Sequence, residues 1–350
     1  IAVCVAFNEY ALGNKGLIAA NLAQFVFGQG LGSVFRFWAL HTWVFPESRP
    51  HGEADGSALG ALRERIDAID NQLQDLIIQR AEVVEAIARV KRAGKLAPLR
   101  PGREAQILRR LLGRHRGRFP RLILARIWRE ILSGTVGMQG DFTIAVQVSA
   151  QAPGFWDLAR DHYGSHTPIL TFGASGEVVG AVNDGRATVG ILPLPEEGQR
   201  DFWWRYLSVS DRVRPRVIAR LPFAGAGNAR GNGSQALVIG LADPEPSGED
   251  CGLLALETNA QVSRGRIVAA LTAAGFTLTP IAVVPGDGWD VHLFEADDLL
   301  SVEDPRLATA LAALGKAVLR VSLLGFYARP LAPALLAAGA SKVYAGARDP

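Results

Sequence analysis

From Leu62 onward, apolar residues recur four and three positions apart: Leu62, Ile66, Ile69, Leu73, Leu76, then Arg80, then Val83, Ile87 and Val90. This is a heptad seam about four repeats long. It predicts one helix of roughly 33 residues, near 50 Å at about 1.5 Å per residue. A helix that long cannot bury its seam inside one small domain. It needs a partner helix, most simply from a second copy of the chain. Arg80 stands where Leu or Ile would be expected, and burying an unpaired guanidinium is strongly unfavourable. A snorkelling or carboxylate-paired arginine would account for Arg80 alone. Lys91, about three turns later and nearly on the same face, points instead to a face that binds an anion.

Helix-breaking signals follow at Ala93-Gly94-Lys95 and from Pro98 to Gly102. Arg103-Glu104 then opens a second helix with Ile107 and Leu108 on its apolar face. A polar loop runs from His115 to Arg118. A third helix is predicted from Leu122 to Met138, with Leu122, Ile123, Ile127, Trp128, Ile131 and Leu132 apolar, and Thr135 and Gln139 one turn apart at its end. Between Ala61 and Gln139 there are 17 Arg and Lys against 8 Asp and Glu, so the rest of a chain of net charge +3 is acidic. Such asymmetry suggests an anionic partner for the basic segment, either nucleic acid or a small polyanion.

Toward the start, Gly16 to Phe35 is free of charge and long enough to span a bilayer. Its asparagine, glutamines and four glycines weigh against a membrane segment, and Lys15, the first cation, preceded by Glu9, does not resemble the basic start of a signal peptide, so the expectation is a poorly ordered extension. Glu47 to Gly60 reads as a linker. Two cysteines, Cys4 and Cys251, cannot make a disulfide framework or a four-thiolate zinc site. The histidines are scattered, and only His162 and His166 are closely spaced, without acidic or thiol partners at metal-site spacing. Gly225 to Ser234 is glycine-rich but lacks the Lys-Ser/Thr of a P-loop and reads as a flexible loop.

Leu62-Arg63-Glu64-Arg65-Ile66-Asp67, Ile69-Asp70, Arg80, Lys91 and Arg100-Pro101-Gly102-Arg103-Glu104 together resemble the all-helical class of chorismate mutase. The resemblance covers about 80 residues on three helices. It implies an intertwined homodimer in which the long helix crosses between subunits. It also implies that Arg80 binds one substrate carboxylate and that Arg63 reaches the other from the partner subunit. Lys91 and Gln139 would donate to the ether oxygen. Glu104 would accept from the ring hydroxyl and from Lys91, Arg103 would orient the site, and Thr135 stands where the family often has a small hydroxyl or thiol residue. Arg100 departs from the pattern, because that position is often Asp. Chorismate and prephenate are then the small-molecule partners, and no cofactor is required.

In the second half, Phe142 to Val148 alternates like a strand, and Val178 to Pro193 reads as a helix, a glycine turn and a buried strand. This stretch resembles the first lobe of prephenate dehydratase. The family's Pro-Ile-Glu-Asn-Ser is replaced by Pro193-Leu194-Pro195-Glu196-Glu197, and its Thr-Arg-Phe by Ser234-Gln235-Ala236. Only about 37 residues separate the two points, where the family places a whole second lobe. The expectation is a remnant without a dehydratase site, since Gln235 cannot replace an arginine's charge. Leu253 to Tyr327 resembles a degenerate ACT domain. The expected order is strand Gly252–Leu256, helix Gly265–Ala274, strands near Ile281 and at Val291–Phe294, helix Pro305–Leu314, and a strand ending Leu323-Leu324-Gly325-Phe326-Tyr327. The effector-binding Glu-Ser-Arg-Pro falls on Ala282-Val283-Val284-Pro285, which weakens the case for phenylalanine feedback.

The expected fold class is therefore multidomain: an all-α chorismate mutase domain forming an intertwined dimer, an α/β remnant, and an ACT-like α+β domain. The expected boundaries are a poorly ordered extension and linker at 1–55, the helical domain at 56–140, the truncated α/β region at 141–248, the ACT-like domain at 249–330 and a tail at 331–350. The expected function is the rearrangement of chorismate to prephenate in aromatic amino acid biosynthesis, in the cytoplasm, without nucleic acid or membrane. Two alternatives stand beside it. One is a bifunctional mutase–dehydratase. The other is a helical interaction or nucleic-acid-binding module using the basic helices.

Overall fold

A computed structural model describes residues 53–94, 98–148, 153–208, 215–225, 227 and 235–337. The apolar stretch at 16–35, Ser234 and most of the glycine-rich loop lie outside the described residues. No helix among the described residues is long and apolar enough to cross a membrane. The described residues fall into two units, divided between Gln79 and Arg80.

Helix α1 (Glu53–Ala93) has 41 residues and runs through the division. It begins inside the stretch read as a linker, so that expectation is corrected. Gly56, Ser57 and Gly60 are tolerated near the end of a helix whose remaining turns are rich in Leu, Ile, Glu, Gln and Arg. Lys91 and Arg92 complement the carbonyl end of its dipole. In the first unit, Leu62, Ile66, Ile69, Leu73 and Leu76 are between 48 and 59% exposed. The later seam positions Val83, Ile87 and Val90 are exposed as well, whereas Val84 and Ala88 are buried. The apolar seam positions are thus exposed in each unit, whereas the face that packs within the second unit carries Arg80, Val84, Ala88 and Lys91.

Helix α2 (Pro101–Arg114) starts with proline in its first turn, where no amide hydrogen is missed, and with Glu104 at its positive end. It buries Gly102, Glu104, Ala105, Leu108 and Leu112. Helix α3 (Arg121–Gly137) buries Ala125, Arg129, Leu132 and Val136, again at spacings of four, three and four. Ile127, placed on the apolar face from sequence, is exposed.

The second half builds one nine-stranded sheet, ordered β2-β1-β3-β5-β4-β9-β6-β8-β7. Strand β1 (Ile144–Gln147), helix α4 (Gly154–Tyr163), β2 (Ile169–Phe172), α5 (Ser175–Asn183) and β3 (Val189–Pro193) alternate, and β1 pairs in parallel with both β2 and β3. Strands β4 (Arg216–Leu221) and β5 (Ala236–Gly240) then close this portion, with β5 antiparallel to both β3 and β4. Pro193 lies opposite Ala236. The short segment between β3 and β4 makes a 3-10 turn, Trp203–Leu207, whose Trp203, Trp204 and Leu207 are fully buried.

Strand β6 (Asp250–Asn259), α6 (Arg264–Ala273), β7 (Leu278–Pro285), β8 (Trp289–Asp297), α7 (Pro305–Leu314) and β9 (Val318–Ala328) form the expected βαββαβ arrangement, and each element lies where the sequence put it. A short helix, α8 (Pro333–Ala337), follows. The two portions of the sheet meet where β4 runs parallel to β9, with Val217 opposite Gly325. A Cβ at Gly325 would overlap the Val217 backbone, and its φ is +141°, so glycine is what allows the junction. On one sheet face α5 and the 3-10 turn pack over residues of both portions, Leu192, Val217, Ile239, Leu253, Leu293 and Tyr327 among them. On the other, α4 covers β1, β3, β4 and β5, while α6 and α7 cover β6, β8 and β9.

Candidate functional site

Helices α1 and α3 bring four of the expected residues together within the second unit. Lys91 Nζ donates to Gln139 Oε1 at 3.0 Å and to the Pro98 carbonyl at 2.9 Å. Arg80 Nη1 donates to Thr135 Oγ1 at 3.3 Å, and Gln139 Nε2 donates to the Thr135 carbonyl at 2.9 Å. The Thr135 hydroxyl in turn donates to the Leu132 carbonyl at 2.8 Å. The geometry follows from helical spacing: Arg80 and Lys91 share one face of α1, and Thr135 and Gln139 are one turn apart at the end of α3. Both cations are half-buried. Burial lowers the pKa of Arg80, and burial, followed by the charge of Arg100, lowers that of Lys91. An ammonium has three donors, so the two bonds described leave Lys91 one for a ligand. The Gln139 amide nitrogen is engaged by Thr135, so its donation to a ligand would require that bond to be exchanged.

Glu104 is buried on α2, but its direct partner is Arg129 of α3, at 2.8 Å, rather than Lys91. Burial raises its pKa; the Arg129 guanidinium and, more weakly, Lys91 oppose that rise. Arg103, expected to orient the site, is exposed, and its Nη1 lies 3.4 Å from Gln106 Oε1 on its own helix. Arg63 lies in the first unit, on the exposed stretch of α1.

Three residues escaped the sequence reading. Arg129 breaks the apolar face of α3 just as Arg80 breaks that of α1, and this signal was present in the spacing. Glu245 comes from the loop before β6, and its two carboxylate oxygens accept from Arg100 Nε at 2.8 Å. No local pattern announces that pair. Gly102 packs against the Glu245 backbone, where a Cβ would overlap the carbonyl. Phe223, in the loop after β4, packs with α2 and α3.

The basic segment has anionic partners inside the chain. Besides Arg100 with Glu245, Arg126 pairs with Asp161 and Arg129 with Glu104. Arg109 donates to Ser247 Oγ at 2.9 Å and to the carbonyls of Glu249 and Arg329 at 3.0 and 2.9 Å. Arg100, Arg109 and Arg126, part of the charge read as a surface for an external polyanion, instead fasten the helices to the α/β half. In that half, Gln235 accepts from Arg220 Nη2 at 2.8 Å, while Arg220 Nη1 is held by Glu295 at 2.6 Å.

The family model of chorismate mutase type II matches residues 62–140. The bifunctional chorismate mutase/prephenate dehydratase of Pseudomonas aeruginosa is 31% identical over 147 residues, which cover 40% of each chain. That of Stutzerimonas stutzeri is 29% identical over 146 residues, again 40% of each. The chain thus spans about 40% of the length of these curated relatives. Prephenate dehydratase from Streptococcus mutans is a structural neighbour with 18% identity and a TM-score of 0.39, covering 54% of this chain and 98% of that one. Over residues 62–140 the chain matches the chorismate mutase type II family, and a multidomain α/β half follows that segment.

Proposed function

We propose that the chain rearranges chorismate to prephenate. The observation that carries this reading is the convergence of Arg80, Lys91, Thr135 and Gln139, from positions up to 59 residues apart in sequence, into one cationic, hydrogen-bonding cluster. Chorismate carries two carboxylates, and a half-buried guanidinium and ammonium suit it. The rearrangement is pericyclic and needs neither a nucleophile nor proton transfer. An enzyme can select the compact conformer and stabilise charge on the breaking C–O bond. In this reading Arg80 holds a carboxylate and the free donor of Lys91 meets the ether oxygen. Gln139 supplies a second donor once its amide exchanges partners, and Glu104 accepts from the ring hydroxyl. Arg103 and Arg63 act at the rim, Arg63 from a second copy of the chain. No cofactor takes part.

The test is to incubate purified protein with chorismate, follow its absorbance loss, then assay phenylpyruvate in an acidified and a neutral aliquot. Acid converts prephenate to phenylpyruvate without an enzyme. Product only after acid is the expected result. Product in the neutral aliquot too would favour the bifunctional reading, to which the relatives' names point. Chorismate left intact would overturn the proposal and favour the interaction-module reading.

The partner for the exposed seam of α1 is a second copy of the chain, because a stripe of Leu and Ile along so long a helix needs a matching apolar stripe. Leu73→Glu places a charge in the middle of it. Sedimentation should show a dimer for the parent chain and a shift of at least tenfold toward monomer for the variant. A monomeric parent would remove the dimer from the proposal.

A further inference from the structure

We infer that Arg129 is a positioning residue for the proposed mutase site, and that Phe223 of the α/β half holds it in place. This deepens the mutase reading and rests on it. The guanidinium of Arg129 is buried at the contact between α2, α3 and α4, with Nη1 on Glu104 Oε2 at 2.8 Å and its Cζ 5.2 Å from the centre of the Phe223 ring. Phe223 is itself buried, and its carbonyl accepts from the Leu331 amide at 2.8 Å. A buried ion pair of this kind commonly gives no more stability than a well-packed apolar pair. Here one member is the carboxylate expected to meet the substrate, and the other has a buried Nε without a partner. Such a pair is costly as mere packing, and it is explained if it fixes Glu104 in one orientation and one charge state.

Among the described residues, the charged and titratable groups around the Glu104–Arg129 pair are Lys91 from α1 and His162 and Tyr163 from α4, His162 facing Arg129 and kept neutral by burial and then by that guanidinium. Among the described residues only Arg129 makes a direct ionic bond to Glu104. Burial favours the neutral acid, and the neighbouring cations favour the carboxylate. Removing Arg129 therefore lets Glu104 take up a proton at higher pH, and it also frees the side chain to rotate. The α/β half then has a defined part in the rearrangement: through Phe223 it keeps the acceptor of the mutase helices in place.

The experiment uses the full chain with Arg129→Gln, Arg129→Lys and Phe223→Leu. The first readout is the Glu104 carboxyl midpoint by carbon-13 NMR, assigned with Glu104→Gln. The second is the pH profile of kcat and KM for chorismate. Arg129→Gln should raise the Glu104 midpoint by at least about one pH unit. At neutral pH it should lower kcat by about tenfold or more, with KM within about threefold, and raising the pH should restore part of the rate. Arg129→Lys should recover most of both, and Phe223→Leu should fall between. An unmoved Glu104 midpoint in folded Arg129→Gln would overturn the inference, as would equal damage by Lys and Gln with an unshifted profile. If Arg129→Gln fails to fold, Arg129→Lys and Phe223→Leu decide by the same readouts. A parent chain that leaves chorismate intact while the midpoint still moves would refute the mutase reading and leave Arg129 as the group that sets the charge of Glu104.

Discussion

Lys91→Ala is expected to lower kcat for chorismate by about 10²–10³-fold, the loss typical of one preorganised donor aimed at a developing oxyanion. Its ammonium is held by Gln139 Oε1 and the Pro98 carbonyl, so the remaining donor is fixed before substrate arrives. Such an interaction acts mainly in the transition state, where the ether oxygen gains charge, and kcat should fall much more than KM rises. Arg80→Ala should instead act chiefly on KM, because a carboxylate is charged before and after the reaction. Burial lowers the Lys91 pKa, so the rate of the parent chain should decline on the alkaline side before an ordinary lysine would deprotonate. Steady-state kinetics across pH, with thermal melting to confirm folding, check all three statements. Lys91→Ala with parental kinetics would exclude Lys91 as the donor.

What was legible in the sequence was what periodicity and local turn chemistry specify. The long helix from Leu62 onward, the breaks at Gly94 and Pro98, and all six elements of the βαββαβ portion fall where spacing and punctuation put them, while the helix's first turns lie in the stretch read as a linker. Spacing also placed Arg80 with Lys91, and Thr135 with Gln139, on shared helix faces, whereas the meeting of the two pairs was implied only by the family resemblance. Periodicity misled where a helix carries two usable faces. Val83, Ile87 and Val90 continue the seam, yet Val84 and Ala88 are the residues buried in the single chain. Arg129 was passed over because its partner, Glu104, lies 25 residues away on another helix. The basic segment suggested an external polyanion because pairs such as Arg100 with Glu245, 145 residues apart, leave no local trace. Long-range charge pairing is set by tertiary packing, and composition reports only that both signs are present.

Trp203→Ala should cost about 3–5 kcal/mol of stability, the range for removing a fully buried large aromatic side chain. For a unit of this size that corresponds to a fall in Tm of about 5–9 °C. The reason lies in the short return between β3 and β4. Trp203, Trp204 and Leu207 fold onto one sheet face and pack with Val217, Leu253 and Tyr327, so the same few side chains seal both portions of the sheet. The indole Nε1 donates to the Pro193 carbonyl at 3.0 Å, which ties the turn to the end of β3 and satisfies a buried donor. Trp203→Phe keeps much of the volume and loses that bond, so it should cost less than half as much. Chemical denaturation of both variants separates the packing contribution from the hydrogen bond. If Trp203→Ala cost less than about 1 kcal/mol, the sheet would be stable without this turn, and the 3-10 segment would be a surface connection rather than the core that joins the two portions.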